Sequence, residues 1–215
     1  MNSLKTIFVP AIQGTEDLLS EPYEISYGPM LSDIEKKLSR KELEEFVDLY
    51  ENSYKDPVSV CDRLEKFKEQ HSFIPEVDNL LIYVYIKLRK LKKVEDLIQE
   101  SYEKFPNYFF AKINYADQCL RKGKSRAVPL IFDNKFNLRA LFPEKKVFHY
   151  SEFRGFMVVM GFYHLAIGQR SQAENYYHAA MRVDPIHVTV RSLELKLFKI
   201  SFFQKVFKRL LAFCQ

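Results

Sequence analysis

Glycine is scarce in this chain, with six residues among 215. Phosphate-cradling loops and glycine-dependent hairpins therefore have little material to draw on. Tryptophan is missing altogether, and cysteine is represented only by Cys61, Cys119 and Cys214. An odd number of widely spaced cysteines without a CxxC pair argues against a disulfide framework or a cysteine-based zinc site, and fits a reducing compartment. Long apolar runs are lacking too. No stretch approaches the roughly 18 uncharged apolar residues that a membrane-spanning helix needs. Near the N-terminus, Pro10, Gln13 and Gly14 interrupt the run that a signal peptide would require. The expected location is the cytoplasm.

Chemistry is equally sparse. The five histidines, His71, His149, His164, His178 and His187, show neither HxxxH nor HExxH spacing. No phosphate-binding loop, nucleophile elbow or dinucleotide fingerprint occurs. The expectation is a non-catalytic protein without a metal or cofactor. His164 reads as a packed core histidine rather than a ligand.

The net charge is +5, and its placement matters more than its size. Residues 186–215 hold Arg191, Lys196, Lys199, Lys205, Lys208 and Arg209 against Glu194 alone, which accounts for the whole excess. A nucleic-acid-binding protein carries its basic face on the folded body. Here the body is balanced, so nucleic acid is not the expected partner.

Residues 1–31 read as an extended or partly disordered arm. Pro10, Pro22 and Pro29 recur there with Gly14 and Gly28, and Phe8, Val9, Tyr23, Ile25 and Tyr27 could anchor it to the body. From about residue 32 onward the apolar spacing becomes helical, beginning with Leu43, Phe46, Val47 and Tyr50. Asp56-Pro57 marks a break followed by a helix start. A two-helix unit then recurs, each copy ending at a proline: Pro75, Pro106, Pro143 and Pro185, at intervals of 31, 37 and 42 residues. Such a period with helix–turn–helix content predicts an all-α fold, an α-solenoid of antiparallel helix pairs. The expected organisation is one helical-repeat domain over 32–215. Its units span about 41–75, 76–107, 108–143 and 150–185, followed by a C-terminal capping helix at 187–213.

The last unit, about 154–187, resembles a tetratricopeptide repeat. Gly161, Gly168, Ala173, Tyr177, Ala180 and Pro185 occupy the family's small, turn, small, aromatic, small and terminating slots in register. Met157 stands where tryptophan is usual, and His164 where tyrosine is usual. The second unit fits at Tyr85, Val94, Ile98, Ser101 and Pro106, but Ile82 replaces the small residue and Arg89 the turn glycine. The third fits at Ala116, Gly123 and Phe132, with Pro129 early in its second helix.

The resemblance implies a concave groove lined by the first helices, in which a segment of another protein lies. Position by position, the groove residues would be Asn79, Tyr83 and Lys87, then Phe110, Ile113, Asp117 and Arg121, then Val158 and Phe162. The family's carboxylate clamp is not reproduced. Asn114 alone fits it, and Gly155 and Val159 stand where cations are needed. An apolar, aromatic groove suits an adaptor or scaffold. It also suits a chaperone like the small repeat chaperones of bacterial secretion systems, although those tend to be acidic.

Two further features stand out. Lys87, Arg89, Lys90, Lys92 and Lys93 surround one turn, and Arg121, Lys122, Lys124 and Arg126 the next, so stacked units would align them as a basic ridge. In the tail, Leu195, Phe198, Phe202, Val206, Leu210 and Phe213 form an apolar stripe opposite lysines. Residues 195–213 thereby offer a surface for a second copy or for an anionic membrane.

Overall fold

A computed structural model describes residues 6–10, 22–28 and 34–198. Over these the chain is mostly helical, with adjacent helices packed in pairs. Helix α1 (Arg40–Lys55) packs on α2 (Pro57–Gln70), and α3 (Pro75–Lys87) on α4 (Leu91–Lys104). Helix α5 (Phe109–Arg121) packs on the short α6 (Ala127–Ile131), which α7 (Leu138–Leu141) follows. The most extensive contact joins α8 (Tyr150–Ala166) to α9 (Arg170–Val183), and α10 (Val188–Phe198) covers both. No described helix is long and apolar enough to cross a membrane.

Local sequence explains where the helices begin. Ser39 and Glu42 form a reciprocal capping box at α1, the Ser39 amide donating to Glu42 Oε2 at 2.7 Å. Asp56 closes α1 and caps α2, its Oδ1 accepting from the Val58 and Ser59 amides at 3.2 Å. Pro57 and Pro75 occupy first-turn positions that need no amide donor.

Three turns within the pairs share one geometry. Arg89, Gly123 and Gly168 have φ values of 55°, 72° and 81°. The following amides reach back to the last helical turn: Lys90 to Tyr85 O, Lys124 to Cys119 O and Gln169 to His164 O, at 2.8–2.9 Å. This is the Schellman closure of a helix, which favours glycine at the left-handed residue. Arginine holds that place in α3–α4 at a steric cost of about 1–2 kcal/mol. A Cβ at Gly123 or Gly168 would meet nothing within 4 Å, so backbone conformation alone asks for glycine there.

The third pair departs from the expected single second helix. Asp133 and Asn134 both take positive φ, 53° and 56°, and the Asn134 amide closes on Pro129 O at 2.8 Å. The helix therefore stops after one turn, and Asn137 caps the separate α7 through Ala140 N at 2.7 Å. The extra residues lead into a strand.

That strand, β3 (Val147–His149), completes a three-stranded sheet with β1 (Thr6–Val9) and β2 (Tyr23–Ser26). The central β2 pairs antiparallel with β1, Ile25 opposite Ile7, and parallel with β3, Ile25 opposite Phe148. The described parts of the arm are therefore extended and hydrogen-bonded to the body. Val9, Tyr23 and Ile25 are buried in one core with α5 to α10. A second core lies among α1 to α4, and Tyr115 packs against both. The rings of Tyr23 and Phe153 meet edge to face at 5.2 Å, and the Tyr27 hydroxyl donates to Val183 O at 2.7 Å.

Gly161 serves a close approach. A Cβ there would lie 2.5 Å from Leu193 Cδ2, so the neighbour that requires the gap is α10. The expected C-terminal helix is described only to Phe198, and the stripe beyond it lies outside the described residues.

Replacing Arg89 by glycine should raise stability by about 0.5–1 kcal/mol, and Gly168→Ala should lower it by about 1–2 kcal/mol. Chemical denaturation checks both. Equal effects of the same sign at the two positions would contradict the shared-turn account.

Candidate functional site

The residues singled out for the groove fall on α3, α5 and α8, and the structure brings several together. Asn79 on α3 is half-buried, and its Oδ1 accepts from Asn114 Nδ2 on α5 at 3.0 Å. Tyr83, also half-buried, lies with its ring 4.9 Å from Tyr54 of α1, and exposed Lys87 places Nζ 5.4 Å from the same ring. Phe110 is half-buried beside Tyr108 and Phe109, with ring separations of 5.8 and 6.4 Å. Asp117 pairs with exposed Arg121 at 2.9 Å. Phe162 of α8 is half-buried beneath Lys196 Nζ of α10, 5.3 Å from its ring.

Two residues of that set are placed differently. Ile113 and Val158 are 7% and 4% exposed and belong to the core. The cause is the close packing of α5 on α8 around Gly155, where a Cβ would lie 3.1 Å from Ile113 Cδ1. Ile113 thus faces α8 rather than an open surface, and Val158 is enclosed in the same core.

The same face also includes residues that sequence reasoning left out. Tyr50 and Tyr54 extend it on α1, their rings 5.2 Å apart and the Tyr54 hydroxyl donating to Tyr50 at 3.2 Å. Lys196 extends it on α10. Only the apolar spacing of α1 marked Tyr50 in the sequence, and nothing local marked Lys196.

Burial governs the electrostatics. The Asp117 carboxyl is pushed up by burial, with Arg121 and Lys196 pulling it back. The Tyr54 phenol is pushed far above its ordinary value, first by burial and then by Tyr50, with smaller contributions from Tyr83 and Tyr150. Tyr108 is raised by burial, with the Glu76, Glu152 and Asp78 carboxylates adding. All three groups favour the neutral form more than free side chains do.

The basic turns are largely engaged. Lys93 pairs with Glu65 of the preceding helix pair at 2.8 Å, and Lys122 with Glu95 of its predecessor at 2.8 Å. Lys92 pairs with Asp96 at 2.7 Å. These contacts staple one pair to the next and take charge out of the expected ridge. Among the described residues no group of three or more His, Cys, Asp or Glu could hold a metal ion. The buried polar atoms without a partner, including Asp78 Oδ2, Gln118 Oε1 and His164 Nε2, are scattered rather than convergent.

At the other end of α8, the arm and α9 form a polar clasp. Arg154 pairs with Asp184 at 2.5 Å, and Tyr27 stacks on Tyr150 at 5.1 Å. His149 starts α8 in a capping box with Glu152, and His187 starts α10 with its Nδ1 2.8 Å from Thr189 Oγ1. His164 stacks on Tyr176 at 5.1 Å while its Nδ1 meets Gln169 Oε1 at 2.7 Å. Set against known proteins, the chain matches no family model, no curated protein and no solved structure.

Desolvation lowers the pKa of His149, His164 and His187 below the ordinary 6.5. The unfolded chain thus protonates these rings before the folded one does. Stability is kept above about pH 7 and lost as pH falls through 6.5 toward the folded values. Thermal unfolding at about pH 5.5 should show a lower midpoint than at about pH 7.5, and His164→Phe should reduce that difference. A pH response unaffected by the substitution would show that His164 takes no part.

Proposed function

We propose that this chain is a non-catalytic helical-repeat protein of the tetratricopeptide type, a cytoplasmic adaptor or scaffold. Its first helices form a concave face that holds an extended segment of another protein. The observation that carries the reading is the chain of contacts between successive first helices. Tyr54 meets Tyr83, Asn79 meets Asn114, Ile113 packs at Gly155, and Phe162 lies under Lys196. These link α1, α3, α5, α8 and α10 in order, as a stack of repeats requires.

One further observation supports it. The turns at Arg89, Gly123 and Gly168 repeat one closure within three pairs.

The face offers aromatic walls at Tyr50, Tyr54, Tyr83 and Phe162, an amide rung at Asn79–Asn114, and cations at Lys87, Arg121 and Lys196. Aromatic walls take apolar anchors, and the amide rung suits the polar backbone of an extended chain. A segment with apolar anchors and some acidic residues fits best.

The test is partner capture from the native cell, followed by direct binding measurement. Tyr83→Ala combined with Phe162→Ala should weaken binding about tenfold or more, which is about 1.4 kcal/mol. Undiminished affinity in a double variant with unchanged circular dichroism would overturn the proposal.

A further inference from the structure

The turn between α3 and α4 brings a lysine onto a cysteine of another helix. Lys90 follows the left-handed Arg89, and its Nζ donates to Cys61 Sγ on α2 at 3.1 Å. Cys61 is only 2% exposed whereas Lys90 is half-buried, so the ammonium stands on the solvent side of the sulfur. Glu65, one turn along α2, places Oε1 3.8 Å from the same sulfur. That oxygen also accepts from the Tyr85 hydroxyl at 2.6 Å and from Lys93 Nζ at 2.8 Å.

A buried cysteine in apolar surroundings is inert, because its thiol keeps the proton. Cys61 differs. Its sulfur is in hydrogen-bond contact with an ammonium, and the Glu65 carboxylate stands one turn along the same helix. The network also holds the lysine nitrogen at the sulfur, since Lys90 and Lys93 lie 5.7 and 5.2 Å from the Tyr85 ring centre. A separation of 3.1 Å between nitrogen and sulfur suits a single bridging atom.

We propose that Cys61 and Lys90 are an oxidative modification site that closes a covalent Sγ–O–Nζ bridge in the presence of hydrogen peroxide. One peroxide oxidises the Cys61 thiol to a sulfenic acid and leaves as water. A second oxidises the Lys90 amine, once its extra proton has passed to solvent, to a hydroxylamine and also leaves as water. The hydroxylamine oxygen then attacks the Cys61 sulfur. The S–OH bond breaks, and the departing hydroxide takes the hydroxylamine proton as a third water. Sulfur and nitrogen together give up four electrons, and two peroxides accept them. The bridge ties α2 to the α3–α4 turn, and an added thiol reductant returns both side chains.

The test is mass spectrometry on the full chain after peroxide treatment and digestion. The expected product is a linked pair of peptides containing Cys61 and Lys90, heavier by about 14 Da for one oxygen gained and two hydrogens lost. Dithiothreitol should release it. In Lys90→Arg the link should vanish and Cys61 should pass instead to sulfinic and sulfonic acids. Reductive methylation of the lysines before oxidation gives the same test on the unsubstituted protein, should the variant fail to fold. If the unmodified wild type yields only singly oxidised peptides with Lys90 untouched, the proposal is wrong. It is equally wrong if the link persists after methylation.

Discussion

Six residues in succession, Phe156 to Gly161, are buried in the middle of α8. A helix buried over consecutive positions has no solvent face, so it must be enclosed on every side. The rest of the C-terminal half is arranged by that requirement. Helix α5 covers one flank through Ile113, α9 a second through Ala173, Tyr176 and Ala180, and α10 a third through Leu193. The arm supplies what the helices leave open, with Tyr23 against Phe153. An extended segment fits there because β3 precedes α8 directly and offers its backbone to β2.

The other half is built around α3 in the same way. Seven of its side chains from Val77 to Tyr85 are buried, among them the adjacent Leu80, Leu81 and Ile82. Its neighbours α2 and α4 meet it with Leu64, Phe67, Val94 and Ile98. One charge is caught inside. Asp78, 2% exposed, is answered by Lys68 at 3.5 Å, which in turn meets Glu100 at 2.6 Å. The two cores meet at Tyr115, stacked on Tyr102 at 4.2 Å. The proposed binding face crosses this junction, with Asn79 on one side and Asn114 on the other.

Much of the helical layout was legible because it rests on local chemistry. Asp56-Pro57, Pro75, Gly123 and Gly168 each mark a helix boundary through φ or a missing amide, and those constraints act without tertiary context. Arg89 was not legible as a left-handed residue, because nothing local asks an arginine to adopt that conformation. The break at Asp133-Asn134 was hidden in a segment that keeps helical spacing. The sheet was hidden more deeply still. A three-residue strand has no periodicity to detect, and its partner lies at the far end of the sequence. At the candidate site, slot positions could be counted, but counting could not tell a residue facing the open face from one facing the next helix. Ile113 and Val158 are enclosed in the core, whereas Phe162, one turn beyond Val158 on the same helix, is half-buried beneath Lys196.

The pairing of the arm with β3 also sets an order of events when the chain is made. The arm leaves the ribosome before the groups that hold it are synthesised. Pro22 O bonds to Arg139, 117 residues on, and Tyr27 to the carbonyl of Val183, 156 residues on. Contacts over such separations form slowly, because loop closure must be met before any contact is gained. The α1–α4 half needs none of them and can settle while the remainder is still being translated. The arm is thus made before α1–α4 yet placed after them, and it closes the C-terminal half once that half exists.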